Sequence, residues 1–191
     1  MLRTASTFAM MRPGGEGTAL AKWAYYGRRG VLGHRHHDTL WSASVLAWHL
    51  LEAGDVPRAL ALAQEATTGL REALGAEHPW TSQTASELGR VLQALGRFAE
   101  AAPILADVAA HLPHVLGPDH RETLLAETEL AVNLFHLGRY EQAAALAGRV
   151  LARSARVLGE THPDVSDIAA ALAVVTAGSG ADLAVPPVAQ L

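Results

Sequence analysis

Apolar side chains recur along the chain at helical spacing, in blocks that glycine interrupts at regular intervals. Leu46, Leu50 and Leu51 fall on one helix face, Leu88, Leu92 and Leu95 on the next, and Leu130, Leu134 and Leu137 on a third. The breaks keep a period of 42 residues: Leu-Gly with histidine three residues later stands at Gly33/His36, Gly75/His78, Gly117/His120 and Gly159/His162. A second glycine in the same register, Gly54, Gly96 and Gly138, divides each unit, so each unit is expected to hold two helices. The second halves carry Ala59, Ala101 and Ala143 in register, where a small side chain lets two helix backbones approach closely. Ala63 and Ala147 extend that seam, with the bulkier Leu105 at the equivalent place.

The period predicts an all-α chain: a partial helix at about 17 to 32, helix pairs at about 38 to 74, 80 to 116 and 122 to 158, and a last helix at about 164 to 177. Gly17, Gly27 and Gly30 lower the propensity of the first helix, which is expected to be a short or irregular cap. Pro103 and Pro113 lie inside the second helix of the second unit, where each removes a donor and crowds the preceding turn, so a kink or break is expected. Gly148 is a milder weakness in the third unit, and Pro57 suits the first turn of its helix. Residues 1–16, with Pro13-Gly14-Gly15, and 178–191, with Pro186-Pro187, read as flexible segments flanking a solenoid over 17–177.

The junctions Leu74-Gly75-Ala76-Glu77-His78-Pro79-Trp80-Thr81 and Leu158-Gly159-Glu160-Thr161-His162-Pro163, with the turns Leu95-Gly96-Arg97-Phe98-Ala99-Glu100-Ala101 and Leu137-Gly138-Arg139-Tyr140-Glu141-Gln142-Ala143, are distinctive. They resemble the 42-residue tetratricopeptide repeats found in kinesin light chains and in many bacterial proteins, over about residues 31 to 177. That resemblance implies a right-handed α-solenoid of stacked antiparallel helix pairs, whose first helices line a concave wall that binds a protein or peptide. The family's wall positions then fall on Trp41, Ser44 and Trp48, on Gln83, Ser86, Arg90 and Gln93, and on Leu125, Thr128, Val132 and Phe135. This gives an aromatic end, a polar middle with one guanidinium, and an apolar end. Two readings of Trp41 and Trp48 stand side by side: they grip an apolar anchor of a partner, or they pack against the N-terminal segment. Arg90 likewise serves either an acidic group of the partner or a structural ion pair with Glu87 or Glu129.

Composition narrows the partners. Fifteen Lys+Arg against nineteen Asp+Glu leave a formal charge of -4, with no basic field to draw in nucleic acid. Without cysteine there is neither a disulfide nor a thiolate metal site. The opening residues lack the unbroken apolar centre of an export signal, and the longest apolar run, Ile168 to Val175, is too short to cross a bilayer. A cytoplasmic protein without membrane contact is expected, and the single lysine, Lys22, among many arginines and alanines suggests a bacterial coding bias.

The chain's ten histidines raise the question of a metal. Four stand once per repeat, and packed helices lie roughly 8–10 Å apart, too far for imidazoles to share one zinc. They are expected to bond to backbone groups at the helix starts. His34, His36, His37 and Asp38 form a compact cluster, and His111 and His114 share a helix face, without the context of a known metal site. No metal or cofactor is expected. An enzyme using the groove as a pocket, with His49, Glu52, Glu87 or Glu129 as acid or base, is the alternative class, although no catalytic signature is present. A third reading is self-assembly, with a homodimer formed through a terminal helix, because the last helix is strongly apolar. The adaptor reading, a scaffold holding a protein or peptide, is the one the repeat favours.

Overall fold

A computed structural model describes residues 14–178. Both flanking segments expected to be flexible lie outside the described residues, apart from residues 14–16 and Gly178. Eight α-helices and no strands are present among the described residues: α1 (Gly15–Leu32), α2 (His37–Glu52), α3 (Val56–Leu74), α4 (Pro79–Ala94), α5 (Phe98–Val115), α6 (Arg121–His136), α7 (Tyr140–Leu158) and α8 (Pro163–Gly178). They fall into two compact units, the first ending at Arg97 and the second beginning at Phe98. In the first unit each helix packs on the next, and α2 also touches α4. In the second unit α5 to α8 do the same, with α6 also touching α8.

The first (inner) helices of the pairs, α2, α4, α6 and α8, begin from the same three residues, Leu-Gly and the histidine three positions on. The glycine of Leu-Gly takes a positive φ, between 86° and 93° at Gly33, Gly75, Gly117 and Gly159, a conformation side chains oppose. At Gly75 and Gly117 the carbonyl then accepts a hydrogen bond from the hydroxyl of Thr81 or Thr123, each at 2.8 Å. The histidine three residues on is the N-cap. Nδ1 of His36, His78 and His162 accepts the backbone N–H of Asp38, Trp80 and Asp164 at 3.1 Å, and Nδ1 of His120 accepts that of Glu122 at 3.2 Å. Imidazole here does what Ser or Asp does at most helix starts, satisfying one of the four donors that an N-terminus leaves open. As the acceptor, Nδ1 supplies the lone pair, so the capping tautomer carries its hydrogen on Nε2.

The second (outer) helices of the pairs, α3, α5 and α7, share one pattern of buried small and apolar residues. Ala59, Ala101 and Ala143 have no exposed surface, nor do Ala63, Leu105 and Ala147 one turn on. α1 follows the same pattern: Gly17, Ala21, Ala24, Tyr25 and Arg28 are buried, each 42 residues before Ala59, Ala63, Ala66, Thr67 and Leu70 of α3. Packing on α2 therefore carries α1 through its glycines as one 18-residue helix, not an irregular cap. Its Arg28 is an unexpected core residue, 3% exposed, whose Nη1 donates to the Asp38 carbonyl at 3.0 Å and to Ser42 Oγ. α5 also runs unbroken through both prolines. The ring of Pro103 faces solvent, and the carbonyl it deprives of a partner belongs to Ala99, itself exposed. Gly148 likewise does not interrupt α7.

In the second unit Leu124, Ala131, Leu146, Val150, Ile168, Leu172 and Val175 form the core. Ile168, Leu172 and Val175 of α8 thus point inward, while Ala169, Ala170 and Ala171 are exposed. Arg121 Nε donates to Asp164 at 2.7 Å, tying the starts of α6 and α8 together.

Removing one cap tests the junction. His120→Ala should cost about 1 kcal/mol in chemical denaturation, and His120→Asp should restore most of it. Burial, followed by the Glu65 carboxylate, pushes the Tyr25 phenol above its ordinary value of 10.0, against an opposing pull from Arg29. The folded chain therefore holds that proton more tightly than the unfolded chain. The associated stability is present below pH about 10 and is lost as pH rises further. The urea midpoint should accordingly decline above pH about 10, and Tyr25→Phe should flatten the decline.

Candidate functional site

In the first unit the candidate surface is formed by α2 and α4. Trp41 and Trp48 stand half-buried on α2, about 10.5 Å apart along its axis. Ser44 between them is only 6% exposed, so its hydroxyl offers little to a partner. On α4, Gln83, Ser86, Arg90 and Gln93 are all partly exposed. The reading in which the tryptophans pack against the N-terminal segment involves residues 1–13, outside the described residues.

The structure adds a residue that sequence mapping missed. Trp80, at the start of α4, stacks on Trp41 with ring centroids 5.1 Å apart and planes inclined by 23°. His37 and His78 approach Trp80 at 6.1 Å and 5.7 Å, and His36 stacks on His37 at 4.3 Å. Two indoles and three imidazoles thus form a continuous aromatic ledge at the N-terminal ends of α2 and α4. A signal for Trp80 was available: it lies one helical turn before Gln83 on the same face.

Charge on this face is predominantly negative. Arg90 sits between two carboxylates, with Nη1 3.5 Å from Glu87 and Nη2 3.9 Å from Glu52. The structural ion pair with Glu87 therefore forms, joined by one with Glu52 that the sequence did not suggest. Glu52 is exposed and follows Trp48 by one turn on the same stripe. Asp38 lies one turn before Trp41, its carboxylate 3.9 Å from His37 Nε2. Together α2 and α4 carry Asp38, Glu52 and Glu87 against Arg90, while α1 and α3 carry Lys22, Arg28, Arg29, Arg58 and Arg71 against Glu16, Glu65 and Glu72.

The ligating atoms of His36, His37 and Asp38 lie within 4.8 Å of one another. His36, however, spends its free nitrogen lone pair on the N-cap, and coordinating through Nε2 would demand a tautomer change that releases the cap. His34 instead lines an open cleft of about 530 Å³ with Arg35, Leu40, Glu65, Gly69 and Glu72. His111 and His114 lie in the last turns of α5. His49 is buried and edge-on to Trp48, with centroids 4.7 Å apart.

In the second unit the mapped positions lie on α6. Leu125, Val132 and Phe135 are partly buried and pack against the core, and Phe135 also meets Tyr140 edge-on at 5.3 Å. Thr128 is 4% exposed, its hydroxyl donating to the Leu124 carbonyl at 2.8 Å. These residues form a mainly apolar surface bordering the core.

No helix of the described residues is long and apolar enough to cross a membrane. Residues 39–79, 81–122 and 126–164 match the tetratricopeptide repeat family. Two solved structures of a putative kinesin light chain from Podosopora anserina, with nearly identical tetratricopeptide-like repeats, are similar over 94% of this chain at 26% identity. One, a form carrying a point substitution, has a TM-score of 0.76 over 86% of its chain, and the other 0.75 over 87%. BtubC (BKLC) from P. vanneervenii shares the fold at a TM-score of 0.71 and 18% identity, over 86% of this chain and 66% of its own. No curated protein matches. Repeats of this kind are generally protein-interaction modules, and proteins built from them are typically non-enzymatic scaffolds. With three consecutive repeats matched over more than half its length, the chain belongs to the tetratricopeptide repeat family.

Proposed function

We propose that this chain is a cytoplasmic adaptor whose α2–α4 face binds a segment of a partner protein in extended or helical form. The observation that carries the reading is the ledge of Trp41 and Trp80 beside Trp48, three large aromatics on a face whose equivalent positions line the binding wall in the family. Tryptophan is prominent among the residues that dominate binding energy, because a rigid indole removes much apolar surface from water at little conformational cost. Gln83, Ser86 and Gln93 surround it with amide and hydroxyl groups suited to pairing with a peptide backbone. In the second unit, taken by itself, α6 carries Leu125, Val132 and Phe135 as a partly buried apolar surface at the equivalent positions.

Affinity capture from a bacterial lysate tests this reading, with circular dichroism confirming that each variant keeps its fold. Trp48→Ala should weaken capture by on the order of tenfold or more, as removal of a central aromatic anchor does. Arg90→Ala should weaken it less, since Arg90 is already engaged by two carboxylates. Unchanged capture by both variants would remove the assignment of this face.

A further inference from the structure

We propose that the segment held on the α2–α4 face is cationic, carrying two lysine or arginine side chains about three residues apart. This rests on the peptide-binding reading above and adds the chemistry of the ligand.

Two observations point the same way. The first is the sign of the charge: the partly exposed Asp38 and the exposed Glu52 outnumber the one guanidinium on α2 and α4, and Arg90 is already held between Glu52 and the buried Glu87. An acidic segment arriving here would meet like charge without an uncommitted cation to receive it from either helix. A basic segment finds Glu52 with more than half of its side chain exposed, at 57%.

The second observation is placement. Each α2 tryptophan has a carboxylate one turn away on its own face, Asp38 before Trp41 and Glu52 after Trp48. An indole face next to a carboxylate suits an ammonium or guanidinium group, because the ring quadrupole and the anion attract the same charge while the aliphatic stem lies on the ring. The two tryptophans are about 10.5 Å apart along the helix axis. An extended chain in the polyproline-II form rises about 3.1 Å per residue with three residues per turn, so side chains three residues apart share one side, about 9 Å from each other, and reach both. The stacked Trp41–Trp80 pair forms the broader of the two subsites and Trp48 with Glu52 the more exposed.

Fluorescence anisotropy with the full chain tests this, using labelled peptides of one leucine–alanine scaffold bearing two lysines, two glutamines or two glutamates about three residues apart. The lysine peptide should bind at least roughly tenfold more tightly than the glutamate peptide, with an advantage that shrinks as salt is raised. Glu52→Gln should weaken the lysine peptide alone, and Glu52→Lys should reverse the order; the position is exposed, and thermal unfolding would confirm an intact fold. Tighter binding of the glutamate peptide, or equal binding of all three, would overturn the cationic assignment and leave the peptide-binding face standing. If none of the three binds, and selection from a randomised peptide display library enriches nothing above background, both readings fall together.

Discussion

Close approach between an inner helix and its outer partner is the constraint on which the rest of this structure depends. Ala59 on α3 and Ala143 on α7 are wholly buried, and a larger side chain there would hold the backbones apart. With that contact made, the long aliphatics of each unit bury against one another, and neither helix of a pair could cover its apolar stripe alone. The junctions serve the contact by fixing where each inner helix begins. Glycine turns the chain, threonine ties back the turned carbonyl, and histidine caps the first turn.

The same arrangement leaves the α2–α4 face partly exposed. Residues of α2 at Leu40, Ala43, Leu46 and Leu50 are almost fully buried, leaving the stripe of Trp41, Trp48 and Glu52 toward solvent. Stability and the proposed recognition thus call on different stripes of one helix, and the repeat holds the second stripe in position without having to bury it. Arg90 adds a bridge between helices, its two carboxylate partners lying on α2 and α4.

Much of this was legible in the sequence because the signal was periodic. Recurrence of Leu-Gly and histidine every 42 residues located the inner helices, and the alanines in register located their contacts. The histidines' bonding to backbone at the helix starts was legible too, since an imidazole just before a helix has few other donors within reach. What escaped was set by tertiary context. Propensity argued against a full first helix, yet burial at Gly17, Ala21, Ala24, Tyr25 and Arg28 against α2 outweighs the glycines. Two interior prolines argued for a broken α5, yet Pro103 sits on the solvent side, where the lost hydrogen bond is inexpensive. At the candidate site, Ser44 and Thr128 fall on the wall positions that the family resemblance implies and are buried, because a neighbouring helix covers more of the stripe than its own periodicity suggests. Trp80 was overlooked because it stands in the junction motif, where its neighbours drew attention to capping and not to stacking.

The register shared by Gly17, Ala59, Ala101 and Ala143 has a genetic corollary. Gain or loss of one whole 42-residue module leaves every remaining seam in phase, so the gene can lengthen or shorten in such steps while its product still folds. A single codon inserted within a helix instead rotates all that follows in that helix by about 100°, carrying the small residues away from their contacts. Length variation among descendants of this gene is therefore expected in whole modules, with smaller insertions confined to the connections between helices.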